Sequence, residues 1–358
     1  MNYETHHHNR NWGCRVVELI YAGYRAVVLE NEKLRVTVLA DKGTDIFEFL
    51  YKPLDVDFLW RSRIGLRPRR HFLPTTPRAG GLHGDYFEGG WPELFPNCGA
   101  MSIHQGAEIG QHGEVLLLPW DYSITRDEPD EIVVRFDVRT VRTPFHVTKT
   151  MTLRRGEAVL RIHEEVVNEG GQSVDYTWGH HPVLGWPFLD EHCRVDLPEC
   201  RIRVLPEFSP PTSRLQPDQT CPWPRAAGIN GEIVDLSQIP APGAAAEDMV
   251  FLEGMTDCWY AITNTHRKVG FGLRYPTEVF KVLWYWQVYR GGLGYPWWGG
   301  TYNIALEPCA TFPILSRAVE RGEALRLNPG EKTEIDLLAV AYERLEAING
   351  IDPEGRVY

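Results

Sequence analysis

Ala158-Val-Leu-Arg-Ile-His-Glu-Glu-Val-Val-Asn168 alternates apolar and polar residues over much of its length. That is the period of a half-buried strand. Asn168-Glu-Gly-Gly-Gln172 reads as a turn, and Val174-Asp-Tyr-Thr-Trp178 as the strand returning from it. The chain then enters Trp178-Gly-His-His-Pro-Val-Leu-Gly185, two adjoining histidines between a tryptophan and a proline. The pair is expected at or just past a strand end, where a rigid scaffold presents chemistry. Neighbours on an extended backbone point to opposite faces, so His180 and His181 are expected to diverge.

The same pattern recurs on both sides of this segment. Short β-branched runs occupy residues 16–20, 26–30, 34–40 and 46–51, and the segments 115–120, 121–126, 131–139, 145–154 and 158–168 read as further strands. Strand patterns resume at 259–264, 269–274, 279–289, 302–309 and 333–342. No helical period and no repeat of fixed length emerges. Twenty or so short strands imply an all-β chain, a large antiparallel sandwich with very little helix. Residues 67–90 and 209–246, both rich in Pro and Gly, read as long excursions. Residues 1–358 are expected to form one domain, preceded by a mobile polar tail over 1–12.

The chain has 358 residues and a net charge of −11, with 43% hydrophobic and 24% charged residues. An acidic balance argues against a nucleic-acid surface or a basic membrane patch, and no apolar run reaches the length of a membrane span. Arg61, Arg63, Arg67, Arg69 and Arg70 form the one dense basic cluster, read as a solvated loop. Seven scattered cysteines without a Cys-x-x-Cys pair suggest neither a disulfide framework nor a zinc ribbon. A reducing, cytoplasmic setting is expected.

Two aromatic loops stand out. One is Gly89-Gly-Trp-Pro-Glu-Leu-Phe-Pro-Asn-Cys-Gly99, in which two prolines four positions apart oppose a regular strand. The other is Gly291-Gly-Leu-Gly-Tyr-Pro-Trp-Trp-Gly-Gly300, whose Gly and Pro residues prevent both tryptophans from entering a regular core. Indole faces stack on the apolar faces of sugars, and few polar groups among aromatic walls is the general form of a small-molecule pocket. Glu307, between a buried-looking strand and Pro308, is a carboxylate that needs a partner or water.

The order of these motifs resembles the aldose 1-epimerase (galactose mutarotase) superfamily. Leu34 to Gly43 is similar to its first strand and glycine turn, and Trp91-Pro-Glu-Leu-Phe-Pro-Asn-Cys-Gly99 to its Phe-Pro loop. Gln111-His112-Gly113 with Trp120, His181-Pro182, Leu306-Glu307-Pro308 and Leu327-Asn-Pro-Gly-Glu331 follow in the family order.

The resemblance implies a β-supersandwich of the galactose mutarotase type and interconversion of sugar anomers at C1. It implies Glu307 as general base, His181 as general acid and His112 as a binding histidine. His83 is a rival for that last role and His180 for that of His181. Trp297 or Trp298 is expected as a wall of the pocket, with Trp91, Gln287 and Asp248 as further substrate contacts. The family's sugar-binding arginine is replaced by Ala100. No metal and no cofactor are expected; the partner is a small carbohydrate and the assembly a monomer or homodimer. Two alternatives remain: a non-catalytic sugar binder on the same fold, and a glycoside hydrolase or lyase whose second carboxylate is Asp248, Glu253 or Asp257.

Overall fold

The computed structural model describes residues 10–68, 81–312, 314–344 and 346–358. The expected mobile tail therefore lies largely outside the described residues, as do Arg69 and Arg70.

Three antiparallel sheets make the body. A five-stranded meander runs Arg15–Tyr21, Tyr24–Glu30, Leu34–Leu39, Asp45–Tyr51 and Val56–Asp57 in sequence order. An eight-stranded back sheet has Lys332–Tyr342 near its centre, between Val269–Arg274 and Val159–Asn168, and continues through Phe145–Arg154 and Glu131–Arg139 to Asp121–Asp127. The site sheet places Tyr302–Cys309 between Val282–Tyr289 on one side and the short strands Gly179–His180 and Val183–Gly185 on the other. Ala246–Glu253 lies beyond Val282–Tyr289. One apolar core joins the sheets, from Val27 and Phe49 in the meander through Phe136 and Ile162 in the back sheet to Leu283 and Leu306 in the site sheet. Helix is confined, among the described residues, to Gly81–Tyr86, Leu315–Arg321 and a few single 3-10 turns.

The large antiparallel sandwich read from the sequence is therefore present. Three local readings differ. Val174–Tyr176 does not return on Val159–Asn168 but pairs with Leu325–Leu327, because the register beside Val159–Asn168 is taken by Lys332–Tyr342. Val115–Leu117 is a 3-10 turn instead of a strand, since Trp120 Nε1 donates back to the Val115 carbonyl and folds the segment on itself. The excursion 209–246 is not merely superficial: Leu215, Ala226, Val234, Leu236 and Ile239 are buried in the main core, and Gln219–Pro222 extends the site sheet.

Alternation on Phe145–Arg154 turns Lys149 inward with Val147 and Met151. A buried ammonium requires compensating charge. It finds Glu93 at 2.8 Å and Glu164 at 3.3 Å, with Thr44 Oγ1 at 2.9 Å. Burial, then the charge of Glu164, raises the carboxyl of Glu93. Burial also works to raise Glu164, but His180 and Lys149 together hold it below the ordinary carboxylate range. This network lies behind the strand that carries the two histidines. Replacing Lys149 by Met leaves two buried carboxylates without their cation, so urea unfolding should show a loss of roughly 3–5 kcal/mol. A midpoint within error of the wild type would refute the account.

Candidate active site

The backbone sends the two histidines apart. His180 turns inward, accepting from Trp91 Nε1 on Nδ1 at 3.3 Å and lying 3.1 Å from Glu164 through Nε2. Its Nδ1 is thereby the acceptor and its Nε2 carries the proton that Glu164 receives. His181 turns the other way, into a cavity of about 510 Å³. Its own N–H donates to the Pro92 carbonyl at 3.0 Å, which ties it to the Phe-Pro loop.

Glu307 enters the same cavity from the strand Tyr302–Cys309 and is buried. Its Oε1 is 3.4 Å from His181 Nε2, and among the described residues its Oε2 has no hydrogen-bond partner. Burial raises Glu307 well above the ordinary carboxylate range, with a smaller contribution from Cys98. Burial pushes His181 down to about 4, partly offset by a hydrogen bond to its own backbone. Burial therefore moves both groups towards their neutral forms, a protonated carboxyl on Glu307 and an uncharged imidazole on His181. The direction of both shifts runs against the charged forms that a general base and a general acid need before they react. The cause is desolvation, which penalises both charged forms.

His112 lies across the cavity in a left-handed backbone conformation, φ +62°. Two bonds to Gly99 hold it: its N–H donates to the Gly99 carbonyl at 2.8 Å, and the Gly99 N–H donates to its ring Nδ1 at 3.2 Å. The next residue must be glycine, since a Cβ on Gly113 would fall 2.1 Å from the Phe95 carbonyl oxygen. With Nδ1 fixed as acceptor, Nε2 is the protonated nitrogen, a donor and not a lone pair. His83, on the helix Gly81–Tyr86, also lines the cavity, its ring 4.8 Å from that of His112. Burial, and then the neighbouring histidines, hold both rings well below the usual histidine range. The sequence posed His83 and His112 as rivals; the structure brings both together.

Aromatic rings complete the walls. Trp286 lies 5.9 Å from the His181 ring and 5.3 Å from Trp297, and Phe87 lies 5.7 Å from His181. Trp284 stands directly across from Glu307 in the sheet. At the rim, Tyr295 of the second aromatic loop donates to Asp85 at 2.7 Å, joining that loop to the helix Gly81–Tyr86. From the first aromatic loop, Gly99 and Ala100 reach the cavity.

Four expected contacts lie elsewhere. Trp298 is 70% exposed and does not line the cavity. Trp91 is buried behind His180. Gln287 and Asp248 sit on the opposite face of the sheet, where Arg214 bonds Asp248 at 2.6 Å. The reason is alternation: Trp284 and Trp286 share a face with Glu307, so Gln287 does not, and Glu247 and Met249 face the cavity while Asp248 turns away. Neither Glu253, beside Arg203, nor Asp257, beside Arg274, lines the cavity. The sequence missed Glu247, Trp284 and Trp286 because choosing the inward parity requires the register.

The fold matches that of galactose mutarotase-like structures. The chain belongs to the family described as "Domain of unknown function (DUF4432)", whose model matches residues 21–339. No curated protein matches the sequence. Among solved structures it is similar to one from Klebsiella pneumoniae subsp. pneumoniae MGH 78578 described as a "putative aldose 1-epimerase". The TM-score is 0.71 at 14% identity, covering 96% of this chain and 87% of that one. A protein so described from Escherichia coli K12 gives 0.58 at 15% identity, covering 93% and 100%. A galactose mutarotase-like protein from Lactobacillus casei ATCC 334 gives 0.57 at 16%, covering 88% and 100%.

The tautomer of His112 has a direct readout. Two-bond proton–nitrogen NMR correlations at neutral pH should show its Nδ1 unprotonated and Nε2 protonated, with no titration near 6.5. Protonation on Nδ1 would contradict the Gly99 contact.

Proposed function

We propose that the protein interconverts the anomers of an aldose at C1, with Glu307 and His181 as the proton-transfer pair. The observation that carries this reading is the 3.4 Å approach of Glu307 Oε1 to His181 Nε2 inside an aromatic cavity. The relatives described as aldose 1-epimerases support the reading.

The chemistry needs a base and an acid at once. The carboxylate of Glu307 takes the proton of the C1 hydroxyl, a C1=O1 double bond forms, the C1–O5 bond breaks, and O5 takes a proton from His181 Nε2. Rotation about C1–C2 presents the other carbonyl face. Closure reverses each transfer, so atoms and protons balance over a cycle. The pair holds one proton throughout. Burial by itself favours it on Glu307; a bound sugar favours His181, because its C1 hydroxyl donates to the carboxylate and its ring oxygen accepts from the imidazolium. His112 Nε2–H is a fixed donor for a sugar hydroxyl, and Trp297 and Trp286 offer apolar surface for the ring.

Glu307→Gln removes the base while keeping shape. Anomer exchange, followed by NMR on pure sugar anomers, should fall by roughly 10²–10⁴, and His181→Asn should match it. The double variant should be little worse than either single, because the two act as a unit. A non-catalytic sugar binder predicts no acceleration by the wild type at any pH.

The pH profile separates the two limbs. Activity needs the pair singly protonated. As pH falls towards about 4, the value to which burial pushes His181, a second proton enters and the rate drops. As pH rises through the raised value of Glu307, the proton leaves and the rate drops again. Both limbs belong to the pair. The acid limb should therefore lie well below the ordinary histidine range, and an acid limb centred near 6.5 would contradict the protonation scheme.

A further inference from the structure

Glu247 is the second carboxylate of the cavity, and the anomer-exchange chemistry leaves it unused. Its position follows from the register. Glu247 lies opposite Val288 on the neighbouring strand, whereas Glu307 lies opposite Trp284 on the other side of that strand. The two glutamates are thus four residues apart along the sheet and two strand spacings across it. At about 3.3 Å per residue and 4.8 Å per strand, their Cα atoms are roughly 16 Å apart. That exceeds the width of one pyranose ring. Between them stands Trp286, whose ring contacts His181 at one end and whose Nε1 donates to Glu247 Oε1 at 3.3 Å at the other.

The volume agrees. A single aldohexose packed at interior density fills about 200 Å³, and the cavity holds about 510 Å³. Met249, Phe208 and Pro210 also line the cavity, apolar surfaces suited to a pyranose face. Trp286 occupies one oxygen of Glu247; among the described residues no protein group bonds the other, which leaves it to accept from sugar hydroxyls. Among the described residues that line the cavity there is no Lys or Arg, whereas two carboxyl groups face it, a lining that disfavours a phosphate or carboxylate on the ligand.

From this we infer that the cavity takes a neutral, reducing disaccharide, or the reducing end of a longer chain. The reducing ring lies at Glu307 and His181, and the second ring lies over Trp286 with its hydroxyls on Glu247. This rests on the anomer-exchange reading for the assignment of the reducing end. The two ideas fail separately.

The test compares anomer exchange of glucose and galactose with that of maltose, cellobiose and lactose, for the wild type, Glu247→Ala and the conservative Glu247→Gln. For the wild type, kcat/KM on at least one disaccharide should exceed that on its reducing monosaccharide by about tenfold. Glu247→Ala should bring that ratio close to one, with Glu247→Gln between. A merely structural role would lower both values and leave their ratio alone. A wild-type ratio near one for all three disaccharides, or a ratio that Glu247→Ala does not change, overturns the second subsite while the anomer-exchange reading stands. If the wild type exchanges no sugar, that reading fails and calorimetric binding of the same sugars decides. Tighter binding of a disaccharide that is lost in Glu247→Ala upholds the subsite, and equal binding of one and two rings overturns it.

Discussion

The site depends on the absence of one side chain. Gly179 carries the histidine strand against Tyr302–Cys309, pairing with Cys309. A Cβ there would sit 2.6 Å from Cys309 Sγ and 3.0 Å from the Pro308 carbonyl oxygen. Only glycine permits that approach, and only at that separation does His181 reach Glu307, two residues before Cys309. Extended geometry then does the rest, by sending His180 to the other side.

The two sides treat charge in opposite ways. Behind the strand, Lys149, Glu93, Glu164 and His180 form a compensated network in which each group has a partner within 3.4 Å. In front, desolvation disfavours charge on every histidine and on Glu307. A network with fixed partners rigidifies its surroundings; in the cavity, His83 Nδ1, His181 Nδ1 and Glu307 Oε2 find no partner among the described residues and retain interaction free energy for a ligand. The first supports the backbone of the second.

Much of this was legible in the sequence. Period-two alternation gave the strands of the back sheet and the all-β class, and the order of motifs around Phe95-Pro96, His181-Pro182 and Glu307-Pro308 gave the resemblance to the mutarotase fold. What stayed hidden depends on register. Glu247 and Asp248 are adjacent acids on one strand, and only the pairing with Val282–Tyr289 shows that the first faces the cavity. That His83 stands beside His112, and does not merely compete with it, was hidden for another reason: the two are far apart in sequence, and they meet through a helix of six residues that carries no long periodic signal. The protonation of Glu307 and His181 could not be read at all, because it comes from burial by residues distant in the chain.

The rim bond between Tyr295 and Asp85 is formed by exposed groups. A hydrogen bond to a carboxylate is worth about 1.5–3 kcal/mol, little beside what holds the strands of the site sheet together. Neither Tyr295 nor Asp85 belongs to a strand of the site sheet, so a movement of this rim leaves the strands that carry His181 and Glu307 paired.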